Sequence, residues 1–234
     1  MPAGDGLSGL NPDWWIGVAP DSREWLLKMT GSFCSYREHL FASLAQKLGI
    51  SCQSSIYVII DKNNAILRRK SGDAETFQLA ICLMDEHANL PCSSECAFRQ
   101  VLGKEMNFQE IIEARDAGLT NLDDLVRGDI LGHLCGQLEP HGNFITSGHE
   151  YVMIDNERMF ASAPCLHQCQ WLDEEGVRPV VIDVCRQLVR ITDHDLRSMA
   201  TVPDGFTVMN GRDLYDDACA AKEAAKEYLK VFDD

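Results

Sequence analysis

The sequence predicts an α+β fold in two lobes: a small N-terminal sheet carrying one helix, then a larger helical lobe interrupted by a hairpin. Three observations predict it. Between residues 14 and 69, short apolar runs divided by turn residues surround one stretch of helical periodicity. Residues 74–137 then read as largely helical, with breaks near Asn89-Leu90-Pro91 and at Gly118. Finally, apolar runs at Asn143 to Thr146 and Glu150 to Ile154 flank a Ser147-Gly148 turn before helical patterning resumes.

Residues 1–13, MPAGDGLSGLNPD, read as a loose leader, with neither the basic nor the apolar region of a signal peptide. Trp14 to Val18 and Glu24 to Met29 are strand-like around the turn Ala19-Pro20-Asp21-Ser22. Ser35-Tyr36-Arg37-Glu38 has the spacing of a capping box, in which a serine and a glutamate satisfy the first free amides of a helix. Leu40, Phe41, Leu44, Ala45 and Leu48 follow at helical spacing, and Gly49 suits the left-handed residue that ends a helix.

Ser55 to Ile60 reads as a buried strand, Asp61-Lys62-Asn63-Asn64 as a turn, and Ala65 to Arg69 as a returning strand. The N-terminal lobe is therefore expected over 14–72 and the helical lobe over 73–234. Within the latter, Thr120-Asn121-Leu122-Asp123 is a helix start with Leu122, Leu125, Val126 and Leu134 on its inner face. The last helix is expected from Asp213 to Phe232, with Leu214, Ala218, Ala221, Ala225, Tyr228 and Phe232 in one stripe.

Composition narrows the function. The hydrophobic content of 45% and charged content of 24% suit a globular protein. A net charge of −15 repels phosphate backbones, so direct nucleic-acid binding is not expected; Arg68-Arg69-Lys70 is the one basic run and reads as a solvated strand end. No apolar stretch is long enough for a membrane span. The ten cysteines, in a chain without an export signal, read as reduced thiols in a cytoplasm. Two pairs, Cys92 with Cys96 and Cys165 with Cys169 around His167, offer soft ligands to zinc. Three-residue gaps also suit thiols packed on one helical face.

The chemistry-bearing residues form one constellation. Lys28 stands on a strand and Glu38 on the following helix; Asn143 and Asp155 stand at facing ends of the hairpin. Phosphoryl transfer from ATP needs a fixed cation at the phosphates and a carboxylate to orient it. Magnesium takes few protein ligands, all hard oxygens, and an Asn carbonyl with an Asp carboxylate supplies such a partial shell.

In order along the chain, Glu24-Trp25-Leu26-Leu27-Lys28, Tyr36-Arg37-Glu38-His39-Leu40 and Leu44-Ala45-Gln46-Lys47-Leu48-Gly49-Ile50 are followed by Gly136-Gln137-Leu138-Glu139-Pro140-His141-Gly142-Asn143-Phe144-Ile145. Then come Val152-Met153-Ile154-Asp155-Asn156-Glu157 and a late segment from Leu196 to Phe206. This series resembles the small HipA-like kinases, a branch of the protein kinase and phosphatidylinositol kinase superfamily. The resemblance implies a two-lobed kinase-like fold with its catalytic loop at 136–160, and ATP and Mg2+ as cofactors. Lys28 would hold the phosphates, with Glu38 pairing with it or ordering the helix. Asn143 and Asp155 would bind magnesium, and His141 would lie near the reaction centre.

The family usually places an aspartate five residues before the loop asparagine; here Leu138 stands there, with Glu139 beside it. Glu139 is the candidate to take the role of positioning the attacking hydroxyl. There is no glycine-rich phosphate loop of the GxGxxG kind. The leading expectation is a kinase acting on a protein Ser or Thr. Alternatives are a pseudokinase that binds nucleotide or a regulatory protein partner without transfer, and a zinc-bound interaction module built on the cysteine pairs. Toxin–antitoxin or stress roles are implied by the family alone.

Overall fold

The computed structural model describes the backbone of residues 14–18, 24–28, 32–61, 79–86, 122–137, 143–147, 150–154, 156, 158–169, 172, 176–201 and 213–231. Side chains are described at 36–55, 123–137, 153, 156, 158–169, 172, 176–201 and 213–231.

Helix α1 (Ser32–Lys47) is largely buried over its described side chains, 36–47. Tyr36, Leu40, Phe41, Ala42, Leu44 and Ala45 are all buried, and among its described side chains only Gln46 and Lys47 are exposed. The helix begins ahead of Ser35, so the Ser35–Glu38 pattern lies within it and is not its N-terminal box. Its end is set by sequence: Gly49 takes φ +68°, the Gly49 amide donates to Gln46 O at 3.0 Å and the Ile50 amide to Ala45 O at 2.9 Å. This paired closure satisfies the last carbonyls and needs a residue free of the left-handed penalty.

Strands β1 (Trp14–Val18), β2 (Glu24–Lys28), β3 (Ser55–Asp61) and β4 (Leu79–Glu86) are paired through their backbones in the order β1-β2-β4-β3. Every pairing is antiparallel, with Lys28 opposite Trp14 on one side and Leu83 on the other. The described partner of β3 is therefore β4, from the stretch expected to be helical. The expected return strand at 65–69 lies outside the described residues.

The predicted fold class is corrected here. Where side chains are described the protein is helical, with a single core, and no small N-terminal sheet lobe with a core of its own is seen among them. Ser55 and Met153 are the only strand residues with a described, buried side chain. The α1 residues belong to the same buried cluster as Leu125, Ile130, Val184, Leu188, Leu196 and Ala218. The physical reason lies in α1, whose apolar surface is too wide for one neighbour. It meets β3 and β4 but also two C-terminal helices, α4 (Asp193–Met199) and α5 (Leu214–Lys230).

The rest of the body is helix α2 (Leu122–Leu134), strands β5 (Asn143–Ser147) and β6 (Glu150–Ile154), a 3-10 turn (Leu166–Gln168), α3 (Arg178–Arg190), α4 and α5. Pro179 occupies the first turn of α3, where its missing N–H costs nothing. Thr192 caps α4 by accepting from the Asp195 amide at 3.1 Å, and Asp213 caps α5 by accepting from the Tyr215 amide at 2.9 Å. Leu214, Ala218, Ala221 and Ala225 form the buried stripe of α5, which packs on α3. Phe232 lies outside the described residues.

Arg127 of α2 ties three elements together. It donates to Asp183 Oδ2 at 2.7 Å and Gln187 Oε1 at 3.1 Å on α3, and to Leu48 O at 2.6 Å beyond the end of α1. No helix among the described residues is long and apolar enough to cross a membrane.

Candidate functional site

Strands β5 and β6 form an antiparallel pair in which Asn143 faces Ile154 and Ser147 faces Glu150. Asn143 thus opens β5 at the end where β6 finishes. The pair is fastened to the segment that follows α1. The Met153 amide donates to Ser51 O at 3.0 Å, the Gln53 amide donates to Met153 O at 2.9 Å, and Met153 is fully buried.

Just past β6, Asn156 is 3% exposed. Its backbone amide donates to Glu38 Oε1 at 3.2 Å and its side-chain amide to Cys52 Sγ at 3.6 Å. Its Oδ1 is buried and has no hydrogen-bond partner among the described residues. Glu38, itself only 1% exposed, therefore reaches from α1 to the residue that follows Asp155. A carboxylate accepting a backbone amide in a buried place fixes that stretch of chain.

The same helix is anchored to the sheet by His39, whose Nδ1 lies 2.6 Å from the Ser55 carbonyl and donates to it as Nδ1–H. Burial lowers the His39 pKa from its ordinary value, against the opposing pull of that backbone bond.

On the other side of the hairpin, α2 ends as α1 does. Gly136 takes φ +64°, its amide donates to His133 O at 3.2 Å, and the Gln137 amide donates to Gly132 O at 3.0 Å. The 158–169 segment wraps this end: Phe160 N–H donates to Cys135 O at 2.6 Å, Ser162 N–H to Gly136 O at 3.2 Å and Cys165 N–H to His133 O at 2.9 Å. Carbonyls that a helix C-terminus leaves open are thereby filled. Phe160 itself adopts φ 57°, a conformation costly for a bulky residue, and is held there by burial.

Of the residues singled out in the sequence, Glu38 is described in full. Lys28 and Asn143 are placed through their backbones in β2 and β5, and their side chains lie outside the described set. Glu139, His141 and Asp155 also lie outside it, as do Cys92 and Cys96. Sequence reasoning missed Asn156. Its signal was faint: a polar residue beside a candidate ligand, at the end of an apolar strand. Glu38 fixes the chain at Asn156, just past the end of β6.

No protein-family profile matches the chain, and no curated protein matches it in sequence. The fold is kinase-like. It is similar to the crystal structure of a Helicobacter pylori proinflammatory kinase, CtkA, with a TM-score of 0.52 and 10% identity, covering 93% of this chain and 96% of that one. At that identity the likeness is one of fold, and it does not extend to the HipA-like family in particular.

Proposed function

We propose that the chain is an ATP- and magnesium-dependent phosphotransferase, resembling HipA-like kinases, that acts on a Ser or Thr hydroxyl of a protein. The observation that carries this reading is the buried bond from Glu38 to the Asn156 amide within a kinase-like fold. It ties the helix bearing the expected orienting carboxylate to the hairpin end bearing Asn143 and Asp155.

In this reading Lys28 binds the nucleotide phosphates, and Asn143 and Asp155 hold magnesium. The ion supplies charge neutralisation at the transferring phosphoryl group. Glu38 acts as a positioning residue for the Asp155 segment. Glu139 orients the attacking hydroxyl, with His141 beside it. A protein substrate or regulatory partner follows from the same reading, as does a cytoplasmic setting.

A second reading, a pseudokinase, is favoured by Leu138 standing where the resembled family carries its aspartate. One experiment separates them: titration calorimetry of ATP with magnesium into wild type and Asp155→Ala, followed by turnover and autophosphorylation on the same samples. Magnesium-dependent binding lost in the variant, with turnover in wild type, is the expected result. Binding without turnover selects the pseudokinase. A folded wild type that binds no nucleotide overturns both.

A further inference from the structure

We propose that the chain holds one zinc ion at the C-terminal end of α2, bound by Asp129, His133 and Cys169. One ligand atom from each of these residues lies within 4.8 Å of the others, and all three residues are buried. Asp129 and His133 stand one helical turn apart on the inward face of α2, and Cys169 comes from the far side of the 3-10 turn that packs against that helix.

The spacing suits a shared ion. His133 Nε2 lies 3.7 Å from Asp129 Oδ2, too far for a hydrogen bond. Bonds of about 2.0–2.3 Å from zinc to oxygen, nitrogen and sulfur set neighbouring ligand atoms roughly 3.3–3.8 Å apart in a tetrahedron. The set of one oxygen, one nitrogen and one sulfur is a zinc-type donor set. A divalent cation there balances the charge of a carboxylate and a thiolate.

Cys165 occupies the other edge of the imidazole, with its Sγ 3.6 Å from His133 Nδ1. There it holds the ring orientation as an outer partner and is not a ligand. A solvent molecule completes four-coordination. Binding releases the Cys169 thiol proton to solvent as the Zn–S bond forms; no electrons are transferred.

The place of the ion gives it a task. It joins α2 to the 158–169 segment at the capped C-terminal end of that helix. The site shares no residue with the Asn143 and Asp155 pair and does not depend on the kinase reading. It also differs from a module built on the two cysteine pairs, because Cys92 and Cys96 take no part.

The test uses the full chain. Zinc is counted by mass spectrometry after purification and after reconstitution, and cobalt(II) is substituted to read its thiolate charge-transfer band. The expected result is one zinc per chain and a cobalt band that is lost in Cys169→Ser and retained in Cys165→Ser and in Cys92→Ser/Cys96→Ser. Alkylation of wild type keeps the proposal testable if Cys169→Ser fails to fold: Cys169 should be protected by zinc and exposed by a chelator. A folded wild type that takes up neither zinc nor cobalt overturns the proposal. So does metal lost with Cys92→Ser/Cys96→Ser, or lost with Cys165→Ser while Cys169→Ser keeps it, or chelator-insensitive alkylation of Cys169.

Discussion

Glu38 Oε1 and the Asn156 backbone amide, 118 residues apart in sequence, meet at 3.2 Å inside the protein. The bond joins the middle of α1 to the chain immediately after Asp155. Glu38→Ala removes the acceptor and leaves a buried amide behind, which costs about 2 kcal/mol of stability. Glu38→Gln keeps an acceptor oxygen and costs less. If Glu38 positions the Asp155 segment, both variants also weaken magnesium-dependent ATP binding, Ala more than Gln. Urea unfolding together with calorimetry checks the two effects separately.

The two helix-ending glycines predict unequal losses. At Gly49 nothing stands within 4 Å of an added Cβ, so Gly49→Ala meets only the left-handed backbone penalty, about 1 kcal/mol. At Gly136 an added Cβ would lie 2.1 Å from the Ser162 carbonyl oxygen, so backbone must move as well. Gly136→Ala is expected to cost more than about 2 kcal/mol. Denaturant midpoints of the two variants, measured side by side, give the comparison directly.

Arg127 offers a test of guanidinium geometry. One side chain serves Leu48 O, Asp183 and Gln187 at once, an arrangement that a lysine's single ammonium cannot reproduce. Arg127→Lys should lose about 1–2 kcal/mol, against under about 1 kcal/mol for Asp183→Ala, whose side chain is 49% exposed. Equal losses in the two variants would mean that the Leu48 carbonyl contact contributes nothing.

His39 gives stability a dependence on pH. Its folded pKa lies below the ordinary 6.5, because burial disfavours the charged ring. Below 6.5 the unfolded chain binds the proton more readily than the folded one, so stability rises with pH there. The contribution is complete above the unfolded pKa and is lost as pH falls through the folded one. Thermal unfolding of wild type and His39→Gln from pH 5 to 8 should show a shallower acid-side decline in the variant.

The sequence made the helices α2 and α5 legible because each presents apolar residues at turn-spaced intervals: Leu125, Val126 and Leu134 in one, Leu214, Ala218, Ala221 and Ala225 in the other. Gly49 was legible because only a left-handed ending explains a glycine at that place. Strand β4 was not. LAICLMDE is a short continuous apolar run, which periodicity cannot assign between buried strand and helix.

The expectation of a small sheet lobe with its own core was overturned for a related reason. Spacing shows that α1 has an apolar face but not how many neighbours that face serves. At the candidate site, residue types and order were visible, whereas Glu38 looked like a local cap because its Asn156 partner is far away in sequence. The Asp129, His133 and Cys169 grouping was hidden by the same kind of separation along the chain.

The fastening of β6 to the segment after α1 bears on the order in which the protein folds. Cys52 and Asn156, which meet there, are 104 residues apart, and closing a loop of that length costs about 4 kcal/mol of chain entropy in the simplest treatment. Contacts of such span form late, after α1 and α2 have local structure to offer. The Met153 amide, locked to Ser51 O, should then exchange its hydrogen only when the whole molecule opens, and never through fraying of the hairpin alone.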